Sequence, residues 1–255
     1  MAFLTFLGTG SGFPAAGRSA TSILLRETAT GSGVLFDAGE PCALKLREIG
    51  VAFDSISRIC LSHAHADHVG GLPLFLQGAM IENRTKALDI HAPSALLEGL
   101  KNWLSVLNLA PDSLPFVINF HPMREKETCV LKEFSGPPEL EFFPTTHLRK
   151  HDREAFGCLV RRDDKQMLVS GDLGGIEDLK FIDGDTFGLL ICELTHISLE
   201  DLAEGLKNTQ INNLGLVHVQ KELLSNVVEA RAFLNESLPK CEEVLFLRDG
   251  DFLEF

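Results

Sequence analysis

Ile59-Cys60-Leu61-Ser62-His63-Ala64-His65-Ala66-Asp67-His68-Val69-Gly70-Gly71 is the stretch that decides how this chain is read. Ser57 to Leu61 has the character of a buried strand, and Leu72 to Ile81 that of the helix that follows. Between them, His63, His65, Asp67 and His68 offer four metal-ligating side chains in six positions. Divalent transition metals take neutral imidazole and carboxylate ligands, and a hydrolytic site needs several of them with a position left for water. In an extended turn His63 and His65 point the same way, while Asp67 and His68 lie beyond the bend and reach a second ion. Strand, metal loop and helix form one unit.

Working outward, the segments Phe3 to Leu7, Thr21 to Leu25 and Val34 to Asp37 read as strands joined by glycine-rich turns, and Cys42 to Ile49 as a helix. Leu88 to His91 reads as a strand, and Ser94 to Leu107 as a helix with apolar residues at Leu96, Leu97, Leu100, Trp103, Leu104 and Leu107. A second set of strands is expected at Phe116 to Phe120, Thr128 to Phe134, Leu140 to Phe143, Ala155 to Val160 and Gln166 to Val169. The remainder alternates: strand Gly188 to Cys192, helix Leu199 to Lys207, strand Leu214 to Val219, helix Lys221 to Asn235, strand Val244 to Leu247. Two such halves predict an α/β fold, a four-layered αββα sandwich of two mixed β-sheets with helices on the outer faces. At 255 residues, without a linker or repeat, one domain over 1–255 is expected.

The composition, 45% hydrophobic and 23% charged, excludes disorder and collagen-like repeats. No run reaches the roughly 20 apolar residues needed to cross a bilayer, and the first residues enter a strand without a basic leader, so a cytoplasmic protein with no membrane partner is expected. Six cysteines stand singly, which suits buried free thiols. A net charge of −13 disfavours RNA as a partner, although a basic stretch at Arg149, Lys150, Arg153, Arg161, Arg162 and Lys165 runs against the trend and reads as solvated charge.

The H-x-H-x-D-H segment resembles the signature of the metallo-β-lactamase superfamily. That resemblance implies three further ligands in order: His147 beyond Phe143, Asp172 in Ser170-Gly171-Asp172, and His218 after Leu214 to Val217. One metal would take His63, His65 and His147, the other Asp67, His68 and His218, with Asp172 bridging. It also implies two divalent ions, zinc with manganese or iron as alternatives, and hydrolysis by a hydroxide held between them, with Asp67 orienting that hydroxide. His65 favours a hydrolase, since the redox di-iron branch carries Glu there.

Phe6-Leu7-Gly8-Thr9-Gly10-Ser11-Gly12-Phe13-Pro14, with Arg18, Ser22 and Phe36-Asp37-Ala38-Gly39-Glu40, is similar to the opening of the ribonuclease Z and phosphodiesterase branch. Its glycines permit close turns near the metals, and Asp37 is a partner for a metal histidine rather than a ligand. The implied substrate is RNA or a small nucleotide or cyclic phosphodiester, and a homodimer is implied with it. The chain departs from the branch at Pro14-Ala15-Ala16-Gly17-Arg18, which lacks a lysine, and at Cys192-Glu193-Leu194-Thr195, where a His-Glu-Ala-Thr stretch is usual. His196, held by Glu193, is the candidate to protonate the leaving oxygen, with capping of the next helix as the competing reading. Leu109 to Glu127 is expected to form a small protrusion in place of a substrate-gripping arm. His91 and His121 read as structural, His151 as pocket-lining. With no tyrosine in the chain, a lactonase-type tyrosine hydroxyl is excluded. The alternatives are an ester, thioester or lactone hydrolase, and a metal-loaded sensor without turnover.

Overall fold

The computed structural model describes residues 1–255. Two compact units divide them, one of Met1–Met123, Glu133–Ser135 and Asp249–Glu254, the other of Arg124–Lys132, Gly136–Arg248 and Phe255.

The first unit holds a seven-stranded sheet of β1 (Ala2–Gly8), β2 (Ser22–Glu27), β3 (Gly33–Phe36), β4 (Ile56–Cys60), β5 (Leu88–Ala92), β6 (Ile118–Pro122) and β14 (Phe252–Glu254), ordered β14-β1-β2-β3-β4-β5-β6. β1 to β3 and β14 pair antiparallel, and β3 to β6 run parallel. Its helices are α1 (Cys42–Glu48), α2 (Ala66–Val69), α3 (Leu72–Ile81) and α4 (Ser94–Val106). Leu72, Phe75, Leu76 and Ala79 of α3 recur at helical spacing and are buried with Leu97, Leu100 and Leu104 of α4 in one core that includes Leu35, Ile59 and Ile90. The close fit is visible at Gly78, where a Cβ would lie 2.4 Å from the Phe53 ring.

β4, β5 and β6 also carry a polar cluster. Arg58 and Asn119 donate to Asp89 at 3.0 and 2.9 Å, and His121 stacks on the buried His91 with ring centroids 4.6 Å apart. Burial, then the positive charges of Arg58 and His121, push His91 down from 6.5 to about 3, against the opposing pull of Asp89. The unfolded chain therefore binds a proton that the native His91 refuses. Stability from this residue is full above pH 6.5 and falls as pH drops toward 3. Urea unfolding of the wild type should lose roughly 2 kcal/mol more between pH 6.5 and 5 than His91→Asn does. Equal losses in the two proteins would refute the linkage.

The second unit holds β7 (Thr128–Val130), β8 (Glu139–Thr145), β9 (Ala155–Arg162), β10 (Lys165–Val169), β11 (Thr186–Leu194), β12 (Gln210–Val219) and β13 (Cys241–Phe246), again seven strands, ordered β13-β12-β11-β10-β9-β8-β7. β7 to β10 pair antiparallel and β10 to β13 parallel, so β8, β10, β11 and β12 all run in one direction. Helices α5 (Leu199–Leu206), α6 (Lys221–Leu224) and α7 (Val227–Ser237) complete it. Leu202 and Leu206 of α5 and Ala230 and Leu234 of α7 share a core with Leu190, Cys192, Leu214 and Leu216.

Both sheets are mixed, as the alternation of elements requires, but several boundaries differ from the sequence reading. The strand expected over Thr128 to Phe134 ends at Val130; Leu131 and Phe134 are buried side chains without a ladder. The helix expected over Lys221 to Asn235 is two, broken at Ser225 and Asn226. Leu109, Phe116 and Ile118 enter the first core, and their segment delivers β6 to the sheet edge. His65 is extended and precedes the short helix α2, on which Asp67 and His68 lie beyond the bend. All six cysteines are free thiols, and burial pushes Cys42 up to about 12, leaving it unreactive. No helix is long and apolar enough to cross a membrane.

Candidate metal centre

In parallel sheets the functional groups gather at the carboxyl ends of the strands, and both units obey this rule. In the first unit β3 ends into Asp37 and β4 into Ser62 and His63. Asp37 sits in the left-handed region at φ 57°, which turns its carboxylate back toward the loop. Its Oδ1 accepts from the Ser62 amide at 2.7 Å, and its Oδ2 accepts from the Ser62 hydroxyl at 2.9 Å and His68 Nδ1 at 2.7 Å. A carboxylate partner fixes the His68 proton on Nδ1 and leaves the Nε2 lone pair for a metal. His63 packs against His65 and His68 with ring centroids 4.6 and 4.1 Å apart, so the three imidazoles form one group, and Asp67 Oδ2 lies 3.4 Å from His68 Nε2.

The glycine-rich opening closes on this loop, as its composition predicts. A Cβ on Gly39 would fall 2.3 Å from the Asp67 carbonyl, and one on Gly12 would fall 3.3 Å from its carboxylate. What holds the opening is Asp249, which sequence reasoning missed. Its carboxylate accepts from the Thr9 amide and hydroxyl at 3.0 and 2.9 Å and from the Ser19 amide at 2.7 Å.

In the second unit the shared strand direction brings His147 after β8, Asp172 after β10, Glu193 and His196 at the end of β11 and His218 near the end of β12 to one edge. Asp172 is buried at the centre. His147 Nε2 and His196 Nδ1 lie 3.6 and 3.8 Å from its Oδ2, and His218 Nε2 lies 3.7 Å from its Oδ1. These separations exceed hydrogen-bonding range, and roughly 3 to 4 Å is the spacing of ligand atoms that share one ion with bonds near 2 Å. The ligand atoms of Asp172, His196 and His218 all fall within 4.8 Å of one another. An imidazole and carboxylate donor set of this kind fits zinc, manganese or iron.

Backbone contacts aim these side chains. Thr145 donates to the Asp172 carbonyl at 2.7 Å, and Thr195 donates to the carbonyl of His218, itself left-handed at φ 48°. Glu193, buried, accepts from the amides of Leu173, Thr195 and His196 at 3.1, 2.6 and 3.1 Å and from His196 Nδ1 at 3.1 Å. With Nδ1 on Glu193, Nε2 is the atom His196 presents elsewhere. The competing role for His196 is filled by Ser198, whose hydroxyl caps α5 by accepting from Asp201 N at 3.0 Å. His151 lies exposed on the turn Arg149–His151 and does not line the neighbouring cavity.

Asp178 was also missed. One oxygen of this buried carboxylate accepts from Thr146 N at 2.9 Å and Gly174 N at 2.8 Å, tying the loop of His147 to the loop of Asp172. Asp178→Ala should weaken metal binding about tenfold or more, the usual cost of removing a group that orients ligands, while Asp178→Asn, which keeps an acceptor oxygen, should retain most of it. Metal titration with a chromogenic competitor reads both, and equal weakening in the two variants would contradict this clamp.

Across 99% of its length the chain superposes on human tRNase Z, short form, with a TM-score of 0.76 at 20% identity and 98% coverage of that chain. It superposes equally fully on the metallo-β-lactamase fold protein YhfI of Bacillus subtilis, with a TM-score of 0.78 at 16% identity. The fold is that of the metallo-β-lactamase proteins. Within that class the chain belongs to the family described as anti-Pycsar protein Apyc1, whose model matches residues 2–235. It is 30% identical over 203 residues to a ribonuclease Z of Listeria monocytogenes, covering 79% of this chain and 61% of that protein. The chain spans 36% of the length of a ribonuclease Z of Lachnoclostridium phytofermentans and 61% of that of Listeria monocytogenes.

Proposed function

We propose that the chain is a metal-dependent phosphodiesterase, residues 1–255 acting as one hydrolase domain, with a small nucleotide phosphodiester as substrate. The observation that carries this reading is the buried Asp172 carboxylate faced by the Nε2 atoms of His147 and His218 at 3.6 and 3.7 Å. Imidazole nitrogens set around a buried carboxylate at this spacing suit a cation held between them. In the proposed assignment His63, His65 and His147 would hold one divalent ion and Asp67, His68 and His218 the other, with Asp172 as a ligand shared between the two sites. Bound there, the ions supply an activated water and neutralise charge developing on phosphate.

The chain's own residues do the rest. Asp37 keeps His68 in the tautomer that presents Nε2. Asp67, packed under Gly12, orients the attacking water. His196, its Nδ1 on Glu193, carries a proton on Nε2 as the imidazolium and gives it to the departing oxygen. A net charge of −13 argues for a small substrate over a long polyanion such as tRNA, whose binding rests on many phosphate contacts.

The test is a substrate panel with zinc- or manganese-loaded protein. Hydrolysis of bis(p-nitrophenyl) phosphate and of nucleotide phosphodiesters is expected. Turnover confined to esters, thioesters or lactones would overturn the assignment, and two bound metals with no turnover of any substrate would point to a sensor. A 3′-extended tRNA precursor, beside an active control enzyme, is expected to stay uncut.

A further inference from the structure

At the same end of the second sheet as Asp172, a cavity of about 330 Å³ opens beside the β8–β9 pair. Its walls include Thr146, Arg149, Asp152, Arg153, Glu154 and Phe156. Thr146 directly precedes His147, so the cavity adjoins the loop that carries a proposed ligand.

The wall is a single tight turn. Leu148 is buried beneath it, its carbonyl accepts from the amides of His151 and Arg153, and Asp152 closes the turn in the left-handed region at φ 53° and ψ 42°. This geometry sets Arg149 and Arg153 on either side of Asp152. Arg58 pairs with Asp89, Arg47 with Glu82 and Arg161 with Glu141. The exposed Arg149 and Arg153 side chains meet no carboxylate and no hydrogen-bond acceptor, in a protein with 36 acidic residues against 23 basic ones.

We infer that this cavity is the nucleobase site of the substrate, an inference that rests on the phosphodiesterase reading and names the part of the substrate that the metals do not touch. A phosphate site would exclude the carboxylates of Asp152 and Glu154 from its wall. A nucleobase edge presents donors and acceptors together, which guanidinium and carboxylate groups answer in turn. The base faces are met by guanidinium planes, which stack on heterocycles, with the buried Phe156 forming an apolar part of the wall. The volume admits one base with solvent to spare.

The experiment is calorimetric titration of the zinc-loaded full chain with ribose 5-phosphate and with each of the four common nucleoside 5′-monophosphates, beside hydrolysis of bis(p-nitrophenyl) phosphate. At least one nucleotide should bind about tenfold or more tightly than ribose 5-phosphate. The Arg149→Ala, Arg153→Ala double variant should lose that advantage and hydrolyse bis(p-nitrophenyl) phosphate at the wild-type rate. Asp152→Asn should change which base is preferred and leave ribose 5-phosphate affinity unchanged. Equal affinity of the wild type for all five ligands overturns the base site, as does a double variant that keeps the preference or loses reporter hydrolysis in parallel. A base preference in a protein that hydrolyses no phosphodiester would overturn the phosphodiesterase reading instead and leave the base site standing.

Discussion

Asp172→Ala is expected to lower phosphodiester hydrolysis by about three orders of magnitude, the scale of losing several kcal/mol of charge stabilisation at the reacting phosphate. The residue is buried, and three imidazoles face its two oxygens. Removing the carboxylate leaves those rings without the negative charge that would balance a cation, so metal content should fall together with activity. Asp172→Asn separates the two contributions. It keeps the shape and one oxygen, and should retain part of the metal while losing most of the activity. Elemental analysis beside initial rates checks both. Full metal content with wild-type rates in Asp172→Ala would remove the residue from the site.

His196→Ala carries the second large effect, and its signature depends on the leaving group. A general acid contributes about a hundredfold or more when the departing oxygen is basic, as a ribose alkoxide is. A p-nitrophenolate leaves without help, so the loss there should stay within about tenfold. Metal content should remain that of the wild type, because the Nδ1 atom near Asp172 is engaged by Glu193 at 3.1 Å. Glu193→Gln should show the same leaving-group dependence in weaker form, through loss of the charge that favours the imidazolium. If His196→Ala instead loses metal and affects both substrates equally, then His196 is a ligand grouped with Asp172 and His218.

Much of the candidate site was legible because ligand chemistry imposes close spacing: four metal-ligating residues between His63 and His68 have few other uses. His147, Asp172 and His218 were legible by order and by nearness to the ends of apparent strands; His147 and Asp172 follow β8 and β10, and His218 lies near the end of β12, strands that run in one direction. Ser62, Asp178 and Asp249 escaped notice for a common reason. Each acts on backbone amides or side chains that only the fold brings near, such as Thr9 on Asp249, 240 residues away. A polar residue whose partner is that distant leaves no local pattern.

The errors in the fold have similar causes. Leu131 and Phe134 look like strand residues because they are apolar, yet an apolar side chain can be buried from a turn as well as from a strand. The break between α6 and α7 falls at Ser225 and Asn226, polar residues that interrupt an otherwise helical stretch and were read through. β14 is three residues long, too short to show alternation, and is recognised only by its register with β1.

The most direct test of the account is reconstitution. Protein stripped by a chelator and titrated with zinc or manganese should gain bis(p-nitrophenyl) phosphate hydrolysis in proportion to bound metal, with a plateau at two ions per chain that Asp172→Ala never reaches. Phosphodiester hydrolysis undiminished in the metal-free protein, or none with two ions bound, would contradict it.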